Sequence, residues 1–128
     1  MATVTSWGSK SNGCRVGIRY NNTLQLSSDG SQARVKSFEI LFSADQGIWD
    51  TSNDLSVTGG AVSDSSYSDP FNKSSSWSGS MVLKTVSGQW RTLNVGSTHT
   101  STCKASLSGI SYAGKTLEET VTIRYPAK

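Results

Sequence analysis

Apolar side chains recur at every second position in several short segments of this chain. In residues 99–107, Cys103, Ala105 and Leu107 alternate with Thr, Lys and Ser. The same period of two marks residues 14–20, 38–42, 55–57, 77–85 and 121–125. Because successive side chains of a β-strand point to opposite faces, this period is typical of half-buried strands. No segment has the period of a helix longer than one turn.

Turn-forming residues separate these segments. Clusters of Gly, Ser, Asn and Asp lie at residues 9–13, 27–31, 59–76, 87–88 and 108–114. Short strands joined by turns at fairly even spacing are typical of a β-sandwich or barrel. We therefore predict an all-β, immunoglobulin-like antiparallel β-sandwich of about seven to eight short strands. The 128 residues fit a single domain, 1–128, which we expect to be the whole protein.

Composition agrees with strands and turns. The chain has 25 Ser, 13 Thr and 12 Gly, residue types that compete with the helical backbone or loosen it. So much Ser and Gly is also found in disordered chains. However, 4 Trp, 4 Tyr and 3 Phe are spread along the sequence, and a disordered chain has no need of these aromatic residues or of the alternation.

The alternation changes phase within residues 33–42. Val35 is apolar and Lys36 is polar, whereas from Phe38 onward the apolar residues occupy even positions. One extra residue in a strand of an antiparallel pair has this effect. We predict a β-bulge near Ser37.

Residues 60–76 form one long polar stretch that contains two aromatic residues, Tyr67 and Phe71. Loops above about 12–15 residues in compact domains are usually functional or disordered. Trp49 lies in a second polar stretch, whereas Trp77 shares a strand face with apolar residues and is predicted to be buried. Exposed aromatic side chains are frequent anchors of binding surfaces. We predict Trp49, Tyr67 and Phe71 as surface-recognition residues.

The sequence lacks the residue patterns of an active site. Most of its nine acidic residues lie at predicted turns, where Asp is favoured for its backbone hydrogen bonds. Glu118 and Glu119 are adjacent, so in a strand they point to opposite faces. His99 is the only histidine, and no nucleophile or acid stands at catalytic spacing from it. We therefore predict that the protein is not an enzyme and uses no cofactor and no metal ion.

The charge of the chain is mild and dispersed. The net charge is +3, and Lys and Arg are scattered, whereas nucleic-acid-binding proteins concentrate positive charge on one face. No stretch approaches the ~20 apolar residues of a membrane span. The N-terminus lacks the basic start and apolar run of a secretion signal. We expect synthesis in the cytoplasm, with neither nucleic-acid binding nor membrane insertion.

The two cysteines, Cys14 and Cys103, leave two alternatives open. A disulfide between them would close a long loop and stabilise the fold by ~4 kcal/mol in the chain-entropy description. Cytosolic synthesis is equally compatible with two buried, reduced thiols.

The C-terminal third carries a family resemblance. Residues 99–116 (HTSTCKASLSGISYAGKT), followed by residues 119–128 (ETVTIRYPAK), resemble the end of the Ig-like modules in minor tail proteins of bacteriophages that infect actinobacteria. In those modules a Ser/Thr-rich strand ends in a turn of the form ASLSGI..AGG, and a last strand runs into Pro-Ala. The opening ATVTSWG, the segment RVGIR and the strand WSGS also fit. Here Gly114-Lys115 replaces the glycine pair of the family turn.

The resemblance implies a virion protein, made in the host cytoplasm and present in many copies or as a symmetric homo-oligomer. Its partners would be other virion proteins of the tail or capsid, and a glycan of the host cell surface. A minor tail protein is the leading hypothesis; a capsid decoration protein and a stand-alone carbohydrate-binding module are the alternatives. Strand addition to a neighbouring sheet is expected along residues 2–7 and 120–125.

Overall fold

Eleven β-strands make up most of residues 2–128, the part of the chain that the structure, a computed structural model, describes. The strands are β1 (Thr3–Trp7), β2 (Cys14–Asn21), β3 (Gln25–Leu26), β4 (Gln32–Arg34), β5 (Ser37–Asp50), β6 (Asp54–Thr58), β7 (Ser65–Ser68), β8 (Lys73–Ser87), β9 (Arg91–Thr92), β10 (His99–Ser108) and β11 (Leu117–Tyr125). One 3₁₀ turn, Ser111–Ala113, joins β10 to β11.

The strands form two main sheets. Their orders are β1-β2-β5-β8 in the first sheet and β11-β10-β6-β7 in the second, and β3, β4 and β9 form a small third sheet. All strand pairs are antiparallel. The predicted all-β antiparallel sandwich is therefore confirmed, with eight strands in its two main sheets. The immunoglobulin-like topology stays a prediction, and Met1 of the predicted domain lies outside the described residues.

The core lies between the two main sheets and contains the residues that the alternation assigned to one face. Every second side chain is buried from Cys14 to Ile18 in β2 and from Cys103 to Leu107 in β10, and β10 pairs with β11 over nine residues without a register shift. The largest fully buried side chains include Tyr125, Phe38, Phe42, Phe71, Ile18, Ile40, Ile48, Leu55, Leu107 and Leu117. Half-buried Trp77 stacks on Phe42, in agreement with its predicted inward position.

Four strands lie at the edges of the main sheets. On one side of the sandwich β1 lies beside β11, and the Ser6 hydroxyl donates a hydrogen bond to the Glu119 carboxylate. On the other side β7 lies near β8, and the Lys84 ammonium lies 5.2 Å from the centroid of the Tyr67 ring.

The two longest strands, β5 and β8, extend past their neighbours. Strand β2 pairs with β5 only as far as Ala44, whereas β8 follows β5 to Asp50. Beyond Ala44 the first sheet is therefore a two-stranded ribbon. Its register shifts twice, between Ala44 and Ile48 and again between Ile48 and Asp50.

The predicted bulge near Ser37 is not where the sheet is irregular. Val35 and Lys36 join β4 of the small sheet to β5 of the first sheet, so the change of phase reflects a change of sheet. A register shift does occur in the β5–β8 pair, where Ile40 pairs with Lys84 and Leu41 with Val82.

The extra residue at that shift is Leu83, which changes the alternation along β8. Leu83 and Val86 are both buried although they are three positions apart, a spacing that puts two side chains on opposite faces of a regular strand. The bulge thus supplies the core with an additional apolar side chain.

Residues 60–76, predicted as one long connection, contain an additional strand. Strand β7 pairs with β6 at the edge of the second sheet, and β8 already begins at Lys73. Strand β7 reads Ser-Ser-Tyr-Ser, so only one of its four residues is apolar enough to reveal the alternation. The two connections that remain, residues 59–64 before β7 and 69–72 after it, are short.

Candidate surface-recognition site

Four connections meet at one end of the sandwich, which we call the Trp49 end. The antiparallel registers place there the connections β1–β2, β5–β6, β7–β8 and β10–β11, which are residues 8–13, 51–53, 69–72 and 109–116. Connections at the end of a rigid sandwich are a common location of binding residues.

Asp50 joins two of these connections. One carboxylate oxygen accepts hydrogen bonds from the Ser52 backbone N–H at 2.9 Å and the Asn53 side-chain amide at 3.4 Å. The other oxygen accepts from the Ser111 backbone N–H at 3.2 Å. Burial acts to raise the pKa of Asp50, but these hydrogen bonds outweigh it and lower the pKa below its ordinary value. The carboxylate is therefore held ionised, and it fixes the 3₁₀ turn against the end of β5.

Asn12 joins the β1–β2 connection to the same turn. Its side-chain amide donates to the Tyr112 backbone oxygen at 3.0 Å, and its own backbone oxygen accepts from the Gln46 side chain at 2.6 Å. Asn12 has a φ of 48°, a left-handed conformation that Asn tolerates better than most residues. An exposed ion pair of 2.9 Å between Lys10 and Asp45 lies beside this network.

Two aromatic side chains project from the Trp49 end. Trp49 is 65% exposed because its neighbour Ile48 points into the core and the alternation turns Trp49 outward. Tyr112 is 49% exposed and lies between the buried residues Ile110 and Ala113 of the turn. The Asp50–Ser111 hydrogen bond joins the residues that follow Trp49 and precede Tyr112, so both aromatic residues lie at the same end of the sandwich. A pair of exposed rings can stack on a sugar or anchor a protein partner.

Of the three predicted recognition residues, Trp49 is exposed and lies at this end of the sandwich. Sequence reasoning did not single out Tyr112. The available signal was the turn bounded by Gly109 and Gly114, both of which have positive φ. A short turn of this kind with two buried apolar residues leaves its remaining large side chain in solvent.

Tyr67 lies elsewhere, on the edge strand β7. It is half-buried, packs against the core and receives the Lys84 ammonium on its ring. It belongs to the contact between β7 and β8 at the side of the sandwich, where a packed ring of this type contributes to stability.

Phe71 is a correction to the prediction, because its side chain is fully buried. Its ring centroid lies 4.9 Å from that of Phe42 and 5.4 Å from that of Trp77. The polar residues around Phe71 led to the prediction that its side chain is exposed. In the structure this lone aromatic residue of a short connection points inward and covers the core at this end. Phe71 therefore supports the surface that carries Trp49 without being part of it.

Cys14 and Cys103 are free, buried thiols in the structure. Burial raises the pKa of Cys103 to about 12. Burial, with a smaller contribution from the charge of Asp45, also raises the pKa of Cys14. Since the thiolate is the reactive form of cysteine, both side chains act here as small core residues.

None of the elements formed by residues 2–128 is a helix long and apolar enough to cross a membrane. In the same part of the chain, no group of three His, Cys, Asp or Glu side chains lies where it could hold a metal ion. Comparison with protein-family models, curated proteins and solved structures gives no match to this chain.

Proposed function

We propose that this chain is a structural protein of a bacteriophage virion, a minor tail protein that packs on other virion proteins and presents its Trp49 end to the host surface. The proposal is supported by the resemblance of residues 99–128 to the Ig-like modules of phage tail proteins, together with the place of this segment in the fold. The segment forms β10, the 3₁₀ turn that carries Tyr112, and β11 at a sheet edge.

The second half of β11 is the proposed docking edge. The first half is covered, because Ser6 bonds Glu119 and the backbone of Glu118 lies against Gly8. From Thr120 to Tyr125 the strand pairs only with β10 and lies beside β2 without pairing to it, and we propose that this unpaired side accepts a further strand.

A groove runs along this unpaired side, and it gives the docking edge its specificity. It consists of two adjoining hollows of 280 and 480 Å³ that share Asn22, Leu24 and Arg124. The larger hollow is mainly apolar and is also lined by Leu26, whose side chain is exposed. The occupant that fits is an extended segment of a neighbouring virion protein, with an apolar side chain for the leucines and a carboxylate for Arg124.

The Trp49 end is the proposed contact with the host. Trp49 and Tyr112 are exposed, while the backbone beneath them is fixed by Asp50 and Asn12. Two rings on a fixed framework can stack on a cell-surface glycan with little loss of conformational entropy.

A second candidate function, a stand-alone carbohydrate-binding module, is favoured by the same pair of rings. It requires the two aromatic side chains but not the β11 groove. A capsid decoration protein requires the groove and a lattice partner but no glycan contact.

The deciding experiment is a cryo-EM reconstruction of the phage particle that carries this protein. Copies on the tail, with density from a neighbour along β11, are the expected result. Copies on the capsid lattice would assign the protein to decoration of the head. Purified particles without the protein would leave the carbohydrate-binding module as the better description.

A further inference from the structure

A polar cavity lies at the opposite end of the sandwich from Trp49. It measures 380 Å³, large enough for one monosaccharide, and is formed where the chain passes from β8 through β9 to the start of β10. Its lining residues are Trp90, Arg91, Thr92, Asn94 and His99. No acidic side chain is among them.

Arg91 brings an uncompensated positive charge to this cavity. The ion pairs formed by residues 2–128 are Lys10–Asp45, Arg19–Glu39 and Lys104–Glu118. Arg91 is half-buried and takes part in none of them. A partly buried guanidinium without a counter-charge is unfavourable, and a bound carboxylate would accept two parallel hydrogen bonds from it.

Two buried polar atoms also lack partners: one belongs to His99, which lines this cavity, and the other to Tyr125, which packs on His99 and does not line the cavity. Neither Nδ1 of His99 nor the hydroxyl of Tyr125 has a hydrogen-bond partner among residues 2–128. The two rings are stacked, with centroids 4.9 Å apart and an interplanar angle of 12°. Tyr125 is fully buried, and burial raises the pKa of its hydroxyl although the charge of Arg91 acts to lower it. Buried polar groups are nearly always paired, so the unpaired Nδ1 of His99 is a hydrogen-bonding group beside the cavity that a polar ligand can satisfy.

Trp90 adds a flat apolar surface to the cavity. The Arg34 guanidinium carbon lies 4.6 Å from the centroid of the Trp90 ring, which fixes the orientation of the indole. An indole beside a cationic group and several neutral hydrogen-bonding groups matches an acidic sugar better than a small inorganic anion. The sugar ring presents C–H groups to stack on the indole and hydroxyls for Thr92 and Asn94.

We propose that this cavity binds an acidic monosaccharide unit, with its carboxylate on Arg91, its hydroxyls on His99, Asn94 and Thr92, and its ring on Trp90. The site is separate from the Trp49 end, and it does not depend on the proposed location in a phage tail.

The test is an NMR titration of the full chain with D-glucuronate, D-glucose and inorganic phosphate as probes. Glucuronate is expected to shift the Trp90 indole and His99 signals in the millimolar range, at least about tenfold more tightly than glucose because glucose lacks the carboxylate. Arg91→Gln is expected to weaken glucuronate binding by about tenfold or more. The matched control is Lys115→Gln, which removes one positive charge from an exposed position at the opposite end of the sandwich and should leave the affinity unchanged.

Several results would overturn the proposal. These are equal binding of glucuronate and glucose, glucuronate shifts that map away from Trp90 and His99, and unchanged affinity in Arg91→Gln. Phosphate binding more tightly than glucuronate would identify a small-anion site and rule out the sugar. Because the probe comparison is made on the unaltered protein, it decides the matter even if Arg91→Gln folds poorly.

Discussion

The side-chain amide of Asn53 binds the backbone of Phe71 through both its nitrogen and its oxygen. Its Nδ2 donates to the Phe71 carbonyl oxygen at 2.6 Å, and its Oδ1 accepts from the Phe71 N–H at 3.1 Å. Asn53 is only 3% exposed, and these bonds are buried. The two hydrogen bonds resemble those between paired β-strands, although the connections 51–53 and 69–72 form no sheet. They position the Phe71 ring under the Trp49 end.

Asn53→Ala is expected to lower the free energy of unfolding by about 3 kcal/mol, because it leaves the backbone N–H and C=O of Phe71 buried without partners. Urea denaturation measures the loss. The control is Asn72→Ala, an exposed neighbour, which should change stability by less than about 0.5 kcal/mol. Equal losses in the two variants would contradict the role assigned to Asn53.

Phe71→Ala should lower stability much more than Trp49→Ala. Phe71→Ala removes a buried ring and should cost about 3–5 kcal/mol, whereas Trp49→Ala should change stability by less than about 0.5 kcal/mol. Thermal unfolding measures both. A substantial loss of stability in Trp49→Ala would show that the indole is a packing residue and not a free recognition surface.

Gly17 is required because the Trp7 ring covers it. A Cβ at position 17 would lie 2.6 Å from Cε3 of Trp7, whose ring also carries the Arg15 guanidinium at 4.4 Å from its centroid. Gly17→Ala is expected to cost about 1–3 kcal/mol through displacement of the indole. In a Trp7→Ala background the same change should cost less than about 0.5 kcal/mol. A double-mutant cycle by urea denaturation measures this coupling, and additive losses would contradict it.

Stability should fall in alkaline solution. The ordinary pKa of a cysteine thiol is 9.0, and burial raises that of Cys103 to about 12 in the folded state. Burial also raises the pKa values of Cys14, Tyr20 and Tyr125. Because these groups lose protons more readily when unfolded, their stabilising contribution is complete below pH 9 and is lost as the pH rises toward 12.

Urea midpoints between pH 7 and 11 measure this decline, which should be shallower in Cys103→Ala. An identical pH slope in the variant would contradict the assignment of the decline to Cys103. Cys14 and the two tyrosines account for the part of the slope that remains.

Leu26→Asp should prevent docking at the β11 groove. A carboxylate would replace the exposed apolar wall, so we expect at least about a tenfold reduction in copies per particle, measured by quantitative mass spectrometry of complemented phage. Val95→Asp is the matched control, because Val95 is also exposed at this end of the sandwich but does not line the groove. Equal incorporation of the two variants into particles would contradict the proposed docking of a neighbouring protein in the β11 groove.

The regular part of this fold could be predicted from the sequence because its strands alternate in hydrophobicity. In residues 99–107 and 121–125 the apolar positions of the alternation are those that are buried, although the pairing of the two segments with each other was not predicted. Strand β7 was missed because serine occupies three of its four positions, and Tyr67 alone does not produce an alternation of apolar and polar residues.

The candidate site was only partly predictable, since exposure in a connection depends on tertiary contacts. Trp49 and Phe71 stand in equally polar surroundings, yet one is in solvent and the other is in the core. The difference comes from Asn53, which lies 18 positions before Phe71 in the sequence and fixes its backbone. No local pattern contains that information.

The ribbon formed by the ends of β5 and β8 has a consequence for how this protein can diversify. Its two register shifts already accommodate unequal numbers of residues in the two strands, and no third strand pairs with it beyond Ala44. Changes at the exposed positions among residues 45–50 and 73–78 can therefore be tolerated without a change in the register of the four-stranded part. Ile48, Asp50 and Trp77 are constrained by their buried contacts and hydrogen bonds. In evolutionary terms, the segment that carries Trp49 can vary while the framework beneath it is conserved.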